Sequence, residues 1–509
     1  MTLRIVTTPL DTPPAWPAER TGGLDPALLD ALVPAPGTEA LVAKLRDPKA
    51  LVVTTGQQPG LFTGPLYTIH KALSAKALAE LLEARWQRPV VPLFWLAGDD
   101  HDFAEARTAA WLRSDGSVAT GSLLPRPADA AQLPMYRTLL GPEIDSLVEG
   151  LAADLRPQQH SAWTEAWIRN HWNFGRTIGA AYAGALAELL GPAGILCFDP
   201  THRSAKRVMA RHLIKALGLA RDLDRDLDAR AKELAAAGHD GGVVVGDGAT
   251  LVMLEGTAGR DRLVLDGDGF VTRRSEERFT LDQLTAIAAE DPERLSPNVL
   301  LRPVVEAAIL PTVSYVAGPG ELNYWRLTSP IFSRMRVEPQ AALPRWSGMI
   351  IEPGVDRLLA DLGVTLDDLL APGGALERRL ALGQLPEAAA RSLGELRADL
   401  EREFGILAAS GAGIAPQLGR SVETLRRRIE WLVGRTESKF VAHLKRRNEE
   451  TTSRILRARG SLRPENRPQE RVLTAAPFLA RHGTGILGEL GVVIRGWYRA
   501  ALEGAGPTP

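Results

Sequence analysis

Three carboxylates and one imidazole occur together directly after an apolar segment. Residues 90–97 are continuously apolar and are followed by Gly98 and then by Asp99, Asp100, His101 and Asp102. Mutual repulsion makes such a cluster costly unless a cation, a positively charged substrate or hydrogen bonds compensate it. It could bind an α-amino group or Mg²⁺, or act as a general base. The alternative is a helix cap followed by a solvated loop.

The geometry of this cluster depends on the local backbone. If the chain is extended, alternation directs Asp100 and Asp102 to one side and Asp99 and His101 to the other. We therefore expect about half of the cluster to face a ligand.

A loop with three glycines lies between an earlier apolar strand and a helix that begins near Pro65. Gly56, Gly60 and Gly64 would let backbone amides approach an anion, and the helix dipole would add partial positive charge. The spacing matches neither the Walker pattern nor the dinucleotide fingerprint. A structural tight turn is the alternative. His70 and Lys71 follow in the helix and could contact a phosphate, or could be a core histidine and a solvated lysine.

A third glycine-bearing segment, Gly318-Pro319-Gly320-Glu321, follows the apolar run 312–317. Two glycines around a proline leave room for a ligand, and Tyr324 and Trp325 could form a stacking platform or belong to the core. A fourth polar segment, residues 199–203, follows the strand that contains Cys197. It could contribute to a site at the strand end, or it could cap the next helix. We expect Cys197 itself to be inert.

These segments follow strands that helices connect, so they predict an α/β fold with a doubly wound parallel sheet. The strand beginning at Leu51, the helix after Pro65 with its three- and four-residue apolar spacing, and the apolar strand 90–97 form a βαβ unit. Parallel strands joined in this way end at one edge of the sheet. The polar segments should therefore face one crevice.

The rest of the chain has a different character in each region. We predict a core over residues 1–375, with a mainly helical insertion at about 105–190 and a β-meander at about 243–275. Residues 376–460 predict an antiparallel helical arm, broken at Ser410-Gly411-Ala412-Gly413. Residues 461–509 are apolar enough to dock back onto the core.

Composition excludes several classes of protein. The 509 residues carry a formal net charge of -1, so the chain as a whole lacks the excess of positive charge that is typical of nucleic-acid-binding proteins. Residues 421–460 hold eleven Lys and Arg against five Asp and Glu, which could serve acidic partners but also fits a solvated helix face. A single cysteine excludes an internal disulfide and favours the cytoplasm. No apolar run has the length of a membrane helix.

Three sequence blocks carry a resemblance to a known family. They are TGQQPGLFTGPLYTIHK at residues 55–71, FWLAGDDHDF at 94–103, and AGPGE at 317–321 with Tyr324 and Trp325. In this order they resemble the cysteine-adding enzymes of bacillithiol biosynthesis, the BshC family, and the resemblance covers nearly the whole chain.

The resemblance implies a Rossmann-like core related to nucleotidyltransferases and class I aminoacyl-tRNA synthetases, with a coiled-coil arm that forms a homodimer. The implied reaction joins the carboxyl of L-cysteine to the glucosamine amine of glucosaminyl-malate, with ATP as the activating nucleotide and Mg²⁺ as its companion. Taken together, the residue patterns and the resemblance predict that Asp100, His101, Asp102 and His70 are catalytic. They assign substrate or nucleotide binding to Gly56, Gln57, Gln58, Gly60, Thr63, Gly64, Tyr67, Lys71, Trp95, Gly98, Asp99, Gly318, Gly320, Glu321 and Tyr324.

Three departures from the expected patterns keep alternatives open. Gly98-Asp99-Asp100 stands where many relatives are expected to have Gly-Glu-Asp, and Tyr67-Thr68-Ile69-His70 only occupies the place of the synthetase signature. A KMSKS-type lysine loop is not evident. The chain could instead be a related synthetase or nucleotidyltransferase acting on another amine or on tRNA, or a non-catalytic Rossmann scaffold.

Overall fold

The computed structural model describes residues 3–10, 14–156, 158–239, 241–447 and 449–504. It contains two compact units. One comprises residues 5–350 together with 467–504, and the other comprises residues 351–466 together with residues 3 and 4. The second unit begins at residue 351 and not at 376, because the short helices that follow Pro353 pack against the later helices of the same unit. The C-terminal segment from 467 onward belongs to the first unit.

The secondary structure alternates between strands and helices up to residue 351 and is helical beyond it. The strands in chain order are β1 (Arg4–Thr7), β2 (Leu51–Gln57), β3 (Val90–Leu96), β4 (Thr108–Leu112), β5 (Val118–Ser122), β6 (Leu196–Phe198), β7 (Ala249–Gly256), β8 (Gly259–Asp266), β9 (Gly269–Thr272), β10 (Arg278–Phe279), β11 (Leu295–Pro297), β12 (Thr312–Ala317), β13 (Ala341–Pro344) and β14 (Gly348–Ile351). The α-helices are α1 (Glu39–Leu45), α2 (Tyr67–Trp86), α3 (Phe103–Ala106), α4 (Glu143–Leu155), α5 (Ser161–His171), α6 (Ile178–Leu190), α7 (Arg203–Gly218), α8 (Ala220–Ala236), α9 (Leu281–Glu290), α10 (Arg302–Ile309), α11 (Pro319–Trp325), α12 (Ser329–Met335), α13 (Pro353–Leu362), α14 (Leu366–Leu370), α15 (Ala375–Leu382), α16 (Glu387–Ile414), α17 (Pro416–Arg447), α18 (Glu449–Leu462), α19 (Ala476–His482) and α20 (Gly485–Leu502).

The central sheet of the first unit is parallel, with strand order β13-β12-β2-β3-β6. One face is covered by α2, which α20 covers in turn. On the other face Val52, Val91 and Leu93 belong to the same buried cluster as Leu213 of α7 and Val304 of α10. Helices on both faces explain why β2 and β3 are apolar throughout. The predicted doubly wound, Rossmann-like sheet is confirmed.

The predicted helical insertion at 105–190 is only partly helical. It contains α4, α5 and α6, but it begins with the antiparallel hairpin of β4 and β5. The sequence prediction missed this hairpin because Ala109 and Ala110 have little strand preference. Pairing of Thr108–Leu112 with Val118–Ser122, and burial of Trp111, select the strand conformation in the folded chain.

The predicted β-meander at 243–275 is present as β7, β8 and β9. Two further strands complete it as a five-stranded antiparallel sheet with order β10-β9-β8-β7-β11. The short strand β11 pairs with β7, and Asn298 directly follows it. This sheet therefore delivers side chains from β8 and from the end of β11 to the region described below.

The second unit contains the predicted antiparallel arm, formed by α16 and α17. The predicted break at Ser410-Gly413 is wrong, because α16 continues to Ile414 and the chain turns at Ala415. Ala415 is extended (φ -157°, ψ 136°), as the position before Pro416 favours. Added Cβ atoms on Gly411 and Gly419 would lie 3.3 Å and 2.9 Å from atoms of the facing helix, so these glycines permit close packing at the turn.

Within the described ranges, no helix combines the length and the apolar character that a membrane span requires.

Candidate active site

A cavity of about 790 Å³ lies at the carboxyl ends of β2, β3 and β12, facing the antiparallel sheet. Parallel strands bring their carboxyl ends to one edge, which is where α/β folds bind ligands. The structure brings fourteen of the residues expected from the sequence to its lining. These are Gly56, Gln57, Gln58, Tyr67, Lys71, Trp95, Asp99, Asp100, His101, Asp102, Gly318, Gly320, Glu321 and Tyr324. Gly60, Thr63, Gly64, His70 and Gly98 do not line it.

The glycine loop divides into a part that lines the cavity and a later part that does not. Gly56 still belongs to β2, where an added Cβ would lie 2.8 Å from the Trp95 carbonyl oxygen of β3. The later part is a buried turn in which Phe62, Thr63 and Gly64 have φ values of 52°, 70° and 71°. Only the first part of the predicted anion loop therefore reaches the cavity, and the second part serves as a tight structural turn.

Lys71 joins the two glycine-bearing segments. Its Nζ lies 2.5 Å from Glu321 Oε2 and donates to the Gly56 carbonyl oxygen at 2.6 Å and to Gln57 Oε1 at 3.1 Å. These three acceptors match the three protons of the ammonium group. Burial lowers the pKa of Lys71, and Glu321 opposes that shift. Lys71 is thus a bridge in the structure, and its assignment to a substrate anion stays a prediction.

Glu321, the carboxylate partner of Lys71, also accepts bonds from two other groups. It accepts hydrogen bonds from the Tyr315 hydroxyl at 2.6 Å and from the Gly318 backbone N–H at 2.6 Å. The Arg302 guanidinium lies 4.5 Å from the centre of the Tyr315 ring. Burial raises the pKa of Glu321, but Lys71, Tyr315 and Arg302 together lower it by more, so the net shift is downward. Glu321 is therefore a carboxylate that orders this wall of the cavity.

Asp99 is held by a lysine that the sequence analysis did not single out. Lys206 of α7 is fully buried, and its Nζ donates to Asp99 Oδ1 at 2.6 Å and to the Leu295 carbonyl oxygen at 2.9 Å. A buried ammonium without a partner would be costly, so the pair fixes Asp99 at the cavity rim. No local motif identifies Lys206, because its partner lies about a hundred residues earlier in the chain.

Asp100 and Asp102 organise the turn that follows β3. The Asp102 backbone N–H donates to Asp100 Oδ1 at 2.9 Å, and Asp102 Oδ1 accepts from the Glu105 N–H at 3.1 Å as the cap of α3. The expected alternation is wrong, because the chain turns after Gly98 and is not extended. Asp99, Asp100, His101 and Asp102 all line the same cavity.

His101 contacts Arg260, which β8 contributes from the antiparallel sheet. Arg260 Nη1 lies 3.1 Å from His101 Nδ1. Burial and then Arg260 lower the pKa of His101, while Asp100 opposes this shift. The imidazole is therefore neutral near pH 7. Arg260 is one of five cavity arginines that the sequence analysis missed, the others being Arg262, Arg302, Arg345 and Arg471.

His70 is buried behind the cavity wall, with 1% of its surface exposed. Its Nδ1 lies 2.9 Å from Glu470 Oε2, and the other carboxylate oxygen of Glu470 accepts from Arg345 Nη2 at 2.5 Å. Arg345 lines the cavity, and its guanidinium lies 5.5 Å from the centre of the Tyr67 ring. His70 thus belongs to a network behind the site, and the structure does not place it where it would touch a phosphate.

The smaller expectations can also be compared with the structure. Cys197 is buried, and burial raises the pKa of its thiol to about 12, which confirms an inert core cysteine. His202 accepts from the Ser204 N–H at the start of α7, so this segment caps a helix, which was one of its two interpretations. Among the described residues, no group of three His, Cys, Asp or Glu is arranged to hold a metal ion.

The cavity lining contains carboxylates after β3, called the acidic region below, and guanidinium groups, one of which, that of Arg260, contacts the same turn. Asp100 and Asp102 lie at the end of β3, and arginines come from β8, from the start of α10, from the end of β13 and from the C-terminal segment. No carboxylate in the described ranges forms an ion pair with Arg262 or Arg471. An acidic region suits an amine, and unpaired guanidinium groups suit phosphates or carboxylates.

Comparison with known proteins identifies the family of this chain. Residues 31–346 match the family described as "Bacillithiol biosynthesis BshC, N-terminal Rossmann-like domain", and residues 348–492 match its "C-terminal coiled-coil domain". A protein of Solibacter usitatus is 32% identical over 90% of this chain and 85% of its own length. One of Heliobacterium modesticaldum is 30% identical over 87% and 81%, and one of Salinibacter ruber is 29% identical over 90% and 83%.

All three relatives bear the name "Putative cysteine ligase BshC". These names agree with the expected enzyme class, a ligase. Because the two family matches together span most of the sequence, this chain belongs to the BshC family of bacillithiol biosynthesis.

Proposed function

We propose that this ligase joins the carboxyl group of L-cysteine to the glucosamine amine of glucosaminyl-malate, with ATP as the activating cosubstrate. The observation that carries the proposal is the pairing, in one cavity, of carboxylates at the end of β3 with guanidinium groups that lack ion-pair partners. The names of the relatives supply cysteine as the substrate, and the family description supplies the pathway.

In this reaction the cysteine carboxylate attacks the α-phosphate of ATP, which releases pyrophosphate and forms an acyl adenylate. The amine then attacks the acyl carbon, the carbon–oxygen bond to AMP breaks, and one proton leaves the nitrogen. Asp100 and Asp102 would orient the amine and receive that proton, since both line the acidic region. The base has to be a group that the amine can reach in the cavity.

Arg262 and Arg471 are the best candidates for the anionic parts of the substrates. Burial lowers the pKa of Arg262, and the neighbouring Arg273 and Arg260 add to this shift, so an arriving anion would relieve repulsion there. Phosphate oxygens and the malate carboxylates both suit guanidinium groups. Mg²⁺ would enter with the nucleotide and bind mainly through phosphate oxygens and water, as this ion commonly does.

The arm supports two further parts of the proposal. Exposed apolar side chains on α16 and α17, among them Leu407, Leu425, Trp431 and Phe440, favour a homodimer formed through the arm. Several arm arginines pair with glutamates, as Arg426 does with Glu423 and Glu430, which favours a solvated face over a nucleic-acid surface.

We assign the enzyme to the cytoplasm, where a protein with one buried cysteine needs no oxidising compartment.

The test incubates the purified protein with L-cysteine, glucosaminyl-malate, ATP and Mg²⁺ and follows the condensed thiol product and AMP by mass spectrometry. We expect both, in equal amounts, and neither when ATP is omitted. Product without AMP would retain the ligase and overturn adenylate formation. No product from folded protein would overturn the proposed reaction, and product from another amine acceptor alone would overturn the acceptor.

A further inference from the structure

The contact between His101 and Arg260 joins the central parallel sheet to the five-stranded antiparallel sheet across the cavity. His101 follows β3 of the parallel sheet, and Arg260 belongs to β8 of the antiparallel sheet. The guanidinium is held at three points. Its Nε donates to Ser296 Oγ at 2.9 Å, its Nη2 donates to the Pro297 carbonyl oxygen at 2.7 Å, and its Nη1 lies 3.1 Å from His101 Nδ1.

This contact determines which imidazole nitrogen carries the proton. A guanidinium group has five N–H donors and no acceptor, so Nη1 can only donate to Nδ1. Nδ1 must then present its lone pair, and the single proton of the neutral ring lies on Nε2. A doubly protonated ring would place two donors face to face at this distance.

The surroundings of the ring favour the same state. Burial and the charge of Arg260 lower the pKa of His101, Arg274 acts in the same direction, and Asp100 and Asp102 oppose them with a smaller effect. The ring lines the cavity, and within the described ranges its only hydrogen bond is the one that Nδ1 accepts from Arg260. The Nε2–H group is thus a donor available to a ligand.

We propose that Arg260 is a positioning residue that fixes His101 as a neutral Nε2–H donor, and that His101 acts on the acyl oxygen of the reacting carboxyl group and not as a base. This proposal depends on the proposed function for the identity of the oxygen. The donor would stabilise the negative charge that develops on that oxygen when the amine attacks. Proton removal from the amine then falls to a carboxylate, Asp100 or Asp102.

The protonation state can be measured without turnover. The full-length protein is labelled with ¹⁵N-histidine, and two-bond ¹H–¹⁵N correlation spectra at pH 7 show which ring nitrogens carry a proton. The chain has nine histidines, and His101→Gln identifies the signals of His101 by their loss. We expect an Nε2–H ring in the wild type. An Nδ1–H or doubly protonated ring would overturn the proposal.

Variants of Arg260 test its role. In Arg260→Met we expect signals of His101 that include the Nδ1–H form, and a higher pKa of that ring, because the donor and the positive charge are both lost. Arg260→Lys, which keeps a donor and a charge, should restore part of the wild-type pattern. Arg278→Met, on the exposed end of the same sheet, is the matched control and should leave the spectrum unchanged. An unchanged His101 in folded Arg260→Met would overturn the role of Arg260.

Kinetics separate a donor from a base. The amide of His101→Gln can donate a hydrogen bond but cannot act as a base. The side chain of His101→Leu can neither donate a hydrogen bond nor act as a base. If His101 is a donor, His101→Gln should keep kcat within about 10-fold of the wild type, and His101→Leu should lose about 100- to 1000-fold, the loss typical of one oxyanion donor. Equal losses in both variants would overturn the donor role. Absence of all turnover would count against the proposed reaction, while the spectra would still test the tautomer.

Discussion

Arg345 and Glu470 form an ion pair of 2.5 Å between Nη2 and Oε1, although 125 residues separate them in the chain. Both side chains are nearly buried, and Ser347 and His70 bond to the same carboxylate. The C-terminal segment therefore holds a cavity arginine in place from behind.

Replacement of Glu470 by Gln should lower the stability of the enzyme at neutral pH. Burial raises the pKa of Glu470, but hydrogen bonds from His70 and Arg345 lower it further, and the net shift is strongly downward. A carboxyl group whose pKa is lowered by folding stabilises the folded state at pH values above its unfolded pKa of about 4.3. This contribution is lost progressively as the pH falls from there toward the lower pKa of the folded state. We therefore expect a loss of about 3 to 5 kcal/mol in the free energy of unfolding at pH 7, and a smaller loss near pH 3.

Urea denaturation at both pH values measures this difference. Glu83→Gln is the matched control, because the pair between Lys44 and Glu83 is partly exposed and should contribute less than about 1 kcal/mol. A Glu470→Gln protein as stable as the control variant at pH 7 would contradict a role for this pair.

Lys71 and Glu321 should behave as one unit. Lys71→Met leaves the partly buried Glu321 without its lysine partner, and Glu321→Gln leaves the buried ammonium without its carboxylate. We expect each single variant to lose about 3 kcal/mol or more in the free energy of unfolding, and the double variant to lose clearly less than the sum. Thermal or urea unfolding of the four proteins measures the coupling. Strict additivity would show that the two side chains act independently.

The parts of the fold that are determined by residues close together in the sequence were predictable. The apolar runs of β2 and β3, the helical spacing of α2 and the glycines after β12 each carry a local signal, and together they indicated the sheet edge and about half of the cavity lining. The β-meander was also visible, since its Gly-Asp turns follow short apolar runs.

Contacts that join distant parts of the chain were not predictable. Arg260 lies on a strand whose sequence has no feature that marks it as part of a site. Only the folded structure brings Arg260 to His101. Glu470 reaches His70 over 400 residues, so no spacing rule can pair them. The break in the arm was misplaced because glycines at close helix contacts have the same sequence signal as glycines at a break.

The arm should mediate dimer formation. Leu425 and Trp431 of α17 are about half exposed, at 48% and 58%, and they belong to a set of exposed apolar side chains on the arm that suits a protein–protein contact. We expect the wild type to be a dimer by light scattering after size-exclusion chromatography, and Leu425→Glu/Trp431→Glu to be monomeric. Arg402→Gln on α16 is the control and should remain dimeric. A dimer that survives the double substitution would place the interface elsewhere.

Asp100 should carry the chemistry of the amine, and Asp102 offers a comparison within the same turn. Asp100→Asn removes a charge from the cavity while its amide oxygen can still accept from the Asp102 N–H, so the turn is kept. We expect kcat/KM for glucosaminyl-malate to fall at least about 100-fold, in the range of a lost general base. Asp102→Asn retains a good helix cap for α3, so unfolding should change little and any loss of activity reports its charge alone. A loss of twofold or less in Asp100→Asn would contradict its role with the amine.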